Sequence, residues 1–346
     1  MAKVTFGVIG AGGIARRKTI PGMLAAENLQ LGAVMDVANI GDIAAQFGVP
    51  KAYTTVEEMV GDPAIQAVYI ASPAHLHLDQ IKACAAAGKH VLCEKPLTLT
   101  SVQAKEAVAV CRRSKVLLQE GYMMKFHGAH QAIKRLIAEG RLGKIVYIRA
   151  QLSCWYPPIP GAWRQDPAMG GGGSLIDMAT HLYDLLDHFA GPIRRVVALT
   201  GNLVQNYRSE GAATTLLELA DGGHATVDTF FCVPDEASRT RLEIYGSRGS
   251  IFTEGTIGQS TGGQVEGIFG LGDTAYDASQ NKDVARTFQP IPFEPVNPYT
   301  AECAYFADCI LKGVEPAING GANAIRIMQL TEKAYASARD GRVKKL

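Results

Sequence analysis

No charge of one sign dominates this sequence: 34 lysines and arginines stand against 33 aspartates and glutamates in 346 residues, a formal balance of +1. A nucleic-acid binder usually carries a basic domain or tract, and none is present, so no nucleic-acid partner is expected. Long apolar runs are missing as well. Stretches such as Ala67 to Ala71 fall far short of the ~20 residues that span a bilayer, which argues against a membrane role. The opening Met1-Ala2-Lys3-Val4-Thr5-Phe6-Gly7 lacks the apolar centre of a signal peptide. Paired cysteines are also lacking: there are seven, an odd number, with no Cys-x-x-Cys spacing. They read as reduced thiols of a cytoplasmic protein, and no metal is expected.

What is there describes a folded globular chain. Hydrophobic residues make up 47% and charged residues 19%, and 346 residues suit two domains with a core each. Up to about residue 122, short apolar runs alternate with amphipathic stretches. Strands are expected at Val4 to Ile9, Gln30 to Asp36, Ala67 to Ala71, His90 to Cys93 and Val116 to Gln119. Helices are expected at Ala15 to Glu27, Asp42 to Gly48, His77 to Gly88 and Ser101 to Lys115. One more should start at Thr55, with Glu58 completing a capping box. This rhythm predicts an α/β domain with a doubly wound parallel sheet over residues 1–122. Beyond it, after a helix near His130 to Glu139, strand-like runs dominate: Lys144 to Ser153, Arg194 to Leu203, Ala213 to Leu219, Ala225 to Cys232 and Arg241 to Tyr245. Turn signals such as Asp221-Gly222-Gly223 predict a second α/β domain, residues 123–346, with a large open, mainly antiparallel sheet. Gly255 to Gly272 reads as a long loop, and helices at Tyr299 to Lys312 and Ala322 to Asp340 close the chain.

Gly10-Ala11-Gly12-Gly13-Ile14-Ala15 follows the first strand and opens the first helix, the G-x-G-x-x-A pattern of a dinucleotide site. Gly10 permits the tight turn, Gly12 lets backbone approach a pyrophosphate, and Ala15 lets the helix pack on the sheet. Asp36 ends the second strand, where a carboxylate can hold both ribose hydroxyls. It also repels a 2′-phosphate, and Val37-Ala38-Asn39 bring no basic partner, so NAD is expected rather than NADP. Glu94-Lys95-Pro96 lies at the carboxyl end of a strand, and an ammonium fixed there can orient a hydroxyl and stabilise alkoxide charge. The glycines Gly170 to Gly173 suggest a flexible backbone that approaches a ligand closely. The helix after them sets Asp177 and His181 four residues apart on one face. Histidine works as a base near neutral pH, although on spacing alone a helix-terminal acid and a partly buried histidine is the simpler reading.

Together, Gly10 to Ala15, Glu94-Lys95-Pro96 and Gly171 to Asp184 resemble the Gfo/Idh/MocA family, the glucose-fructose oxidoreductase and inositol dehydrogenase type. The likeness runs over most of the chain and is strongest through residue 190. Ser72-Pro73-Ala74-His75-Leu76-His77 resembles the family's loop after the fourth strand, with Ala74 where asparagine is frequent. The resemblance implies a Rossmann domain for NAD and a second domain whose sheet often forms the subunit contact. It implies Lys95, Asp177 and His181 as the catalytic, substrate-touching trio. It also implies cofactor contacts at Gly10, Gly12, Gly13, Ile14, Ala15, Asp36, Ser72, Pro73, His77, Glu94 and Lys95. Trp163 and Arg164 resemble a cofactor-contacting pair of some members, and Tyr299 lies where some place a substrate contact.

The expected activity is hydride transfer between NAD and a secondary alcohol or ketone of a sugar, sugar derivative or cyclitol. Two alternatives stand beside it. One is an NAD-dependent glycoside hydrolase working by transient oxidation and elimination. The other is a regulatory NAD-binding protein, whose usual mark, loss of the lysine or histidine, is not found here. Strands such as Ala213 to Leu219 read as apolar on both faces, which predicts a homodimer or homotetramer joined sheet to sheet.

Overall fold

In a computed structural model, residues 2–272, 278 and 287–346 are described. The N-terminal sheet contains β1 (Val4–Ile9), β2 (Leu29–Met35), β3 (Lys51–Tyr53), β4 (Ala67–Ile70), β5 (His90–Glu94) and β6 (Leu118–Gly121). Their spatial order is β3-β2-β1-β4-β5-β6, every pair parallel. All four residues of β4 are buried, as its continuous apolar run requires of a parallel strand covered on both faces. The order reverses direction between β1 and β4, and this opens a crevice at the carboxyl ends of those strands. The expected capping box forms: the Glu58 N–H donates to Thr55 Oγ1 at 3.3 Å and Glu58 Oε2 accepts the Thr55 N–H at 3.1 Å.

The second sheet contains β7 (Ile145–Ser153), β8 (Ile193–Gly201), β9 (Ala212–Leu219), β10 (His224–Phe230), β11 (Arg241–Gly246), β12 (Gly249–Glu254), β13 (Gln264–Phe269), β14 (Gln289–Pro290) and β15 (Lys344–Lys345). The order is β14-β13-β12-β11-β7-β10-β9-β8-β15. Neighbours are antiparallel except β7 with β10, which run parallel. The helices Thr180–Ala190 and Gly321–Asp340 contribute Leu182, Leu186, Ile327 and Leu330 to a core shared with Ile148, Leu217, Val227 and Ile244 of the sheet.

Several expectations need correction. β13 lies inside the stretch read as a loop; its Gln264 and Glu266 point outward and Gly267 interrupts its apolar face, so the run carries a weak strand signal. The first helix starts with a π-helical turn, Ala15–Thr19, and its α-helical part ends at Leu24 rather than Glu27. β9 is buried on one face only: Ala213, Thr215, Leu217 and Leu219 point into the core, whereas Thr214 and the apolar Leu216 face outward. The late helix Pro298–Lys312 returns to the N-terminal sheet, where Phe306 meets Phe6 edge-on with ring centroids 6.3 Å apart. Glu120 of β6 also donates its N–H to the Asn319 carbonyl at 2.8 Å.

Candidate active site at the domain junction

The glycine turn is pinned at the end of β1. Gly10 and Ala11 donate their N–H groups to the Met35 carbonyl at 2.9 and 3.1 Å. Gly10 has φ +76°, and a Cβ there would lie 2.6 Å from the Ser72 nitrogen, so only glycine fits. Gly12 donates its N–H to Asp36 Oδ2 at 2.9 Å, and nothing lies within 4 Å of the space a Cβ on Gly13 would take. In front of the turn is a cavity of about 260 Å³, lined by Gly10, Gly12, Gly13, Asp36, Ser72, Pro73 and Trp163 among others. An open glycine backbone at a helix start, facing a carboxylate on the next strand, suits the pyrophosphate and a ribose of a dinucleotide. The residues present fit NAD.

The remaining cofactor candidates sit behind this lining. Ala15 is buried beneath the helix, and Ile14 packs partly buried against the second domain's core. His77 is buried with its ring nitrogens 3.0 Å from the Pro96 carbonyl and 2.8 Å from the Ser72 carbonyl, so it ties two site loops together. Glu94 Oε1 accepts from the Tyr69 hydroxyl, and its Oε2 accepts the Lys95 N–H at 3.2 Å.

Lys95 precedes Pro96 through a cis peptide bond. Its Nζ donates to the Asp177 carbonyl at 2.6 Å and to Asp177 Oδ1 at 2.9 Å. Arg164 Nε donates to the same Oδ1 at 3.0 Å, with its guanidinium 4.2 Å from the centre of the Trp163 ring. Burial by itself would raise the Asp177 carboxyl, but Lys95 and Arg164 outweigh it and hold the group well below the usual carboxylate range. Burial, reinforced by the Lys95 charge, holds His181 well below its ordinary 6.5, so the imidazole is neutral at pH 7. Its ring packs edge-on against Tyr122 at 5.5 Å, and Nδ1 has no hydrogen-bond partner among the described residues. Lys95, Asp177 and His181 therefore meet, with Arg164 joined to them. Tyr299 is buried in the core at the start of its helix, against Gly22.

The glycines ahead of Asp177 do something other than expected. A Cβ on Gly173 would lie 1.9 Å from the Glu210 carbonyl oxygen, and one on Gly172 1.9 Å from the Tyr335 hydroxyl. Their close approach is to the protein itself. Glu210 accepts the N–H groups of Gly173 at 2.9 Å and Leu175 at 3.0 Å, and the Tyr335 hydroxyl at 2.8 Å. It thus caps the π-helical turn Leu175–Ala179 that carries Asp177. Neither Glu210 nor Arg164's hold on Asp177 has a sequence signal, since the partners are far apart or off any helical period. A Gly-x-Ser-x-Gly stretch, Gly258 to Gly262, lies in the loop between β12 and β13, not on the strand-to-helix turn that would expose a nucleophile.

Residues 4–122 match the sequence profile described as an oxidoreductase family with an NAD-binding Rossmann fold. Residues 130–252 match the profile of the GFO/IDH/MocA C-terminal domain. The 1,5-anhydro-D-fructose reductase of Ensifer adhaerens is 29% identical over 91% of this chain and 90% of its own. An uncharacterised oxidoreductase of Rhizobium meliloti is 32% identical over 72% of this chain and 74% of its own. Among solved structures, the aldose-aldose oxidoreductase of Caulobacter crescentus, in complex with glycerol, superposes with a TM-score of 0.88 at 23% identity, over 99% of this chain and 100% of its own, which is a likeness of fold.

Proposed function

The chain belongs to the Gfo/Idh/MocA oxidoreductase family, and on that premise we propose that it moves hydride between NAD and a secondary alcohol or ketone of a sugar, sugar derivative or cyclitol. The observation that carries this reading is Asp177 held ionised by Lys95 and Arg164, with neutral His181 on the same helix. When bound, NAD supplies the hydride acceptor, held by the glycine turn and Asp36. His181 takes the proton of the substrate hydroxyl. Two N–H groups of Lys95 are directed at Asp177, and the third remains for a substrate oxygen. One carboxylate between two cations leaves a net positive charge, which suits an oxygen that is gaining negative charge. The sugar named for the 1,5-anhydro-D-fructose reductase supports the substrate class.

This reading divides the chain into an NAD-binding domain, residues 1–122, and a substrate-binding and oligomerisation domain, residues 123–346. We also propose a cytoplasmic homodimer or homotetramer. The cysteines among the described residues are all free, and no helix among those residues is long and apolar enough to cross a membrane. Leu199 is 72% and Leu216 51% exposed on the outer face of the second sheet. Light scattering tests the assembly, and a monomer at micromolar concentration counts against it. A screen of sugars and cyclitols with NAD and NADP, read by cofactor absorbance, tests the activity. Sugar release from a glycoside without change in absorbance would favour the hydrolase instead.

A further inference from the structure

Beneath the first helix the core buries two hydroxyls that the catalytic trio does not use. Tyr69 sits in the cluster formed by Phe6, Val8, Ile20 and Leu92, and Thr19 is wholly buried beside it. A hydroxyl taken out of water needs a partner, and these two lie 2.9 Å apart. Tyr69 gives its O–H to Glu94 Oε1. A phenol has one proton to give, so Thr19 is the donor within the hydroxyl pair. The row therefore runs one way, from Thr19 to Tyr69 to Glu94. It ends on a carboxyl whose second oxygen accepts the Lys95 N–H at 3.2 Å. Burial raises the Glu94 carboxyl, and the bond from Tyr69 is the largest influence opposing that rise, ahead of the Lys95 charge.

Three elements bring the row together. Tyr69 of β4 stands level with Leu92 of β5, and Glu94, two residues further along β5, points to the same face as Leu92. The first helix covers that face. Its opening π-helical turn, in which the Ile20 N–H reaches back to the Ala15 carbonyl, ends on Thr19. Of the three residues only Glu94 is partly exposed. It adjoins Lys95, whose ammonium meets Asp177, whereas the cavity in front of the glycine turn is bounded by Asp36. Two carboxylates thus stand along the strand ends, Asp36 on the side of the adenosine ribose and Glu94 on the side of the chemistry.

We propose that Thr19 and Tyr69 are positioning residues that hold Glu94 as the acceptor for the hydroxyls of the ribose attached to nicotinamide. The inference rests on the NAD reading above. Each oxygen of a carboxylate takes more than one hydrogen bond, so Tyr69 and Lys95 fix its orientation and leave lone pairs for ribose hydroxyls. Without the Tyr69 hydroxyl, Glu94 is free to turn away and takes up a proton more readily, and either change spoils the acceptor. Thr19 and Tyr69 are wholly buried and act through Glu94.

ADP-ribose is ADP extended by that ribose alone, so the two ligands separate this contact from the rest of the cofactor site. In calorimetric titrations Tyr69→Phe should bind NAD and ADP-ribose ~10-fold more weakly than the wild type, with ADP affinity unchanged. Thr19→Val, which keeps the shape without the hydroxyl, should show the same split at smaller size. Glu94→Gln, which turns one acceptor into a donor, should lose ADP-ribose as Tyr69→Phe does. The glycine turn opens the same helix that carries Thr19, so a merely structural role would weaken ADP as well. Equal losses for ADP and ADP-ribose therefore overturn the proposal, and so does a folded Tyr69→Phe protein with wild-type affinity for ADP-ribose. Should Tyr69→Phe fail to fold, Thr19→Val and Glu94→Gln decide on the same split. A wild-type protein that binds neither NAD nor ADP-ribose overturns the NAD reading and this inference with it, whereas wild type that binds both, with unaffected variants, overturns the positioning role alone.

Discussion

Asp177 is the residue on which the site's charges converge, because one of its oxygens accepts from both Lys95 and Arg164. Removing the ammonium leaves Asp177 paired with Arg164, so the fold should tolerate it better than the chemistry does. Lys95→Met should therefore lower kcat by ~100-fold or more with NAD affinity nearly unchanged. Asp177→Asn, which keeps the shape without the charge, should fall between that variant and the wild type. Melting temperature, NAD titration and turnover on the same proteins check this, and near-normal kcat in folded Lys95→Met would remove Lys95 from the mechanism. Cofactor choice rests on Asp36. It should favour NAD over NADP by ~1 kcal/mol or more, since a 2′-phosphate beside a carboxylate is a like-charge contact. Val37 is 85% exposed, so an arginine there has room to reach a phosphate. Asp36→Ser with Val37→Arg should narrow or reverse the preference in paired titrations; equal NADP binding by the unaltered protein would sink the idea.

The helix that carries Asp177 and His181 depends on backbone contacts that a methyl group would disrupt. Gly173→Ala must push aside the Glu210 carbonyl, which belongs to the chain and not to a flexible side chain. The variant should lose about 2 kcal/mol or more in urea unfolding, and turnover should fall with it as the helix shifts. Wild-type stability in Gly173→Ala would show that Glu210 gives way freely. At this scale the sequence was readable where a run of apolar residues is buried on both faces, as in β1 and β4, or where a cap has a local pattern, as at Thr55 and Glu58. It was unreadable in β3, three residues long, and in β13, whose alternation is broken by Gly267. The parallel pairing of β7 with β10 joins residues 77 positions apart, such as Tyr147 and His224, and leaves no local trace. The trio could be named from its resemblance, but Glu210, Glu120 and Glu302 acquire meaning only through what the fold sets against them.

Buried titrating groups make the stability of the whole molecule depend on pH from both sides. Burial holds His130 and His188 near 3, so below pH 6.5 the unfolded chain binds protons that the folded one refuses, and stability falls as pH falls. Burial also raises Glu120 to about 8 and lifts Glu302 and Asp184, so the folded protein keeps protons that the unfolded chain has released above ~4.5. Stability should therefore fall again as pH rises from 6.5 to about 8. Melting temperature across that window should drop in the wild type and drop less in Glu120→Gln; parallel curves would mean that Glu120 does not carry the slope. The return of the helix Pro298–Lys312 to the first sheet has a consequence for synthesis. Phe6 leaves the ribosome 300 residues ahead of Phe306, the ring that finally covers it. The nascent first sheet must therefore wait with an open apolar flank until that helix has emerged, a state that chaperones would recognise and that a message truncated ahead of it would make permanent.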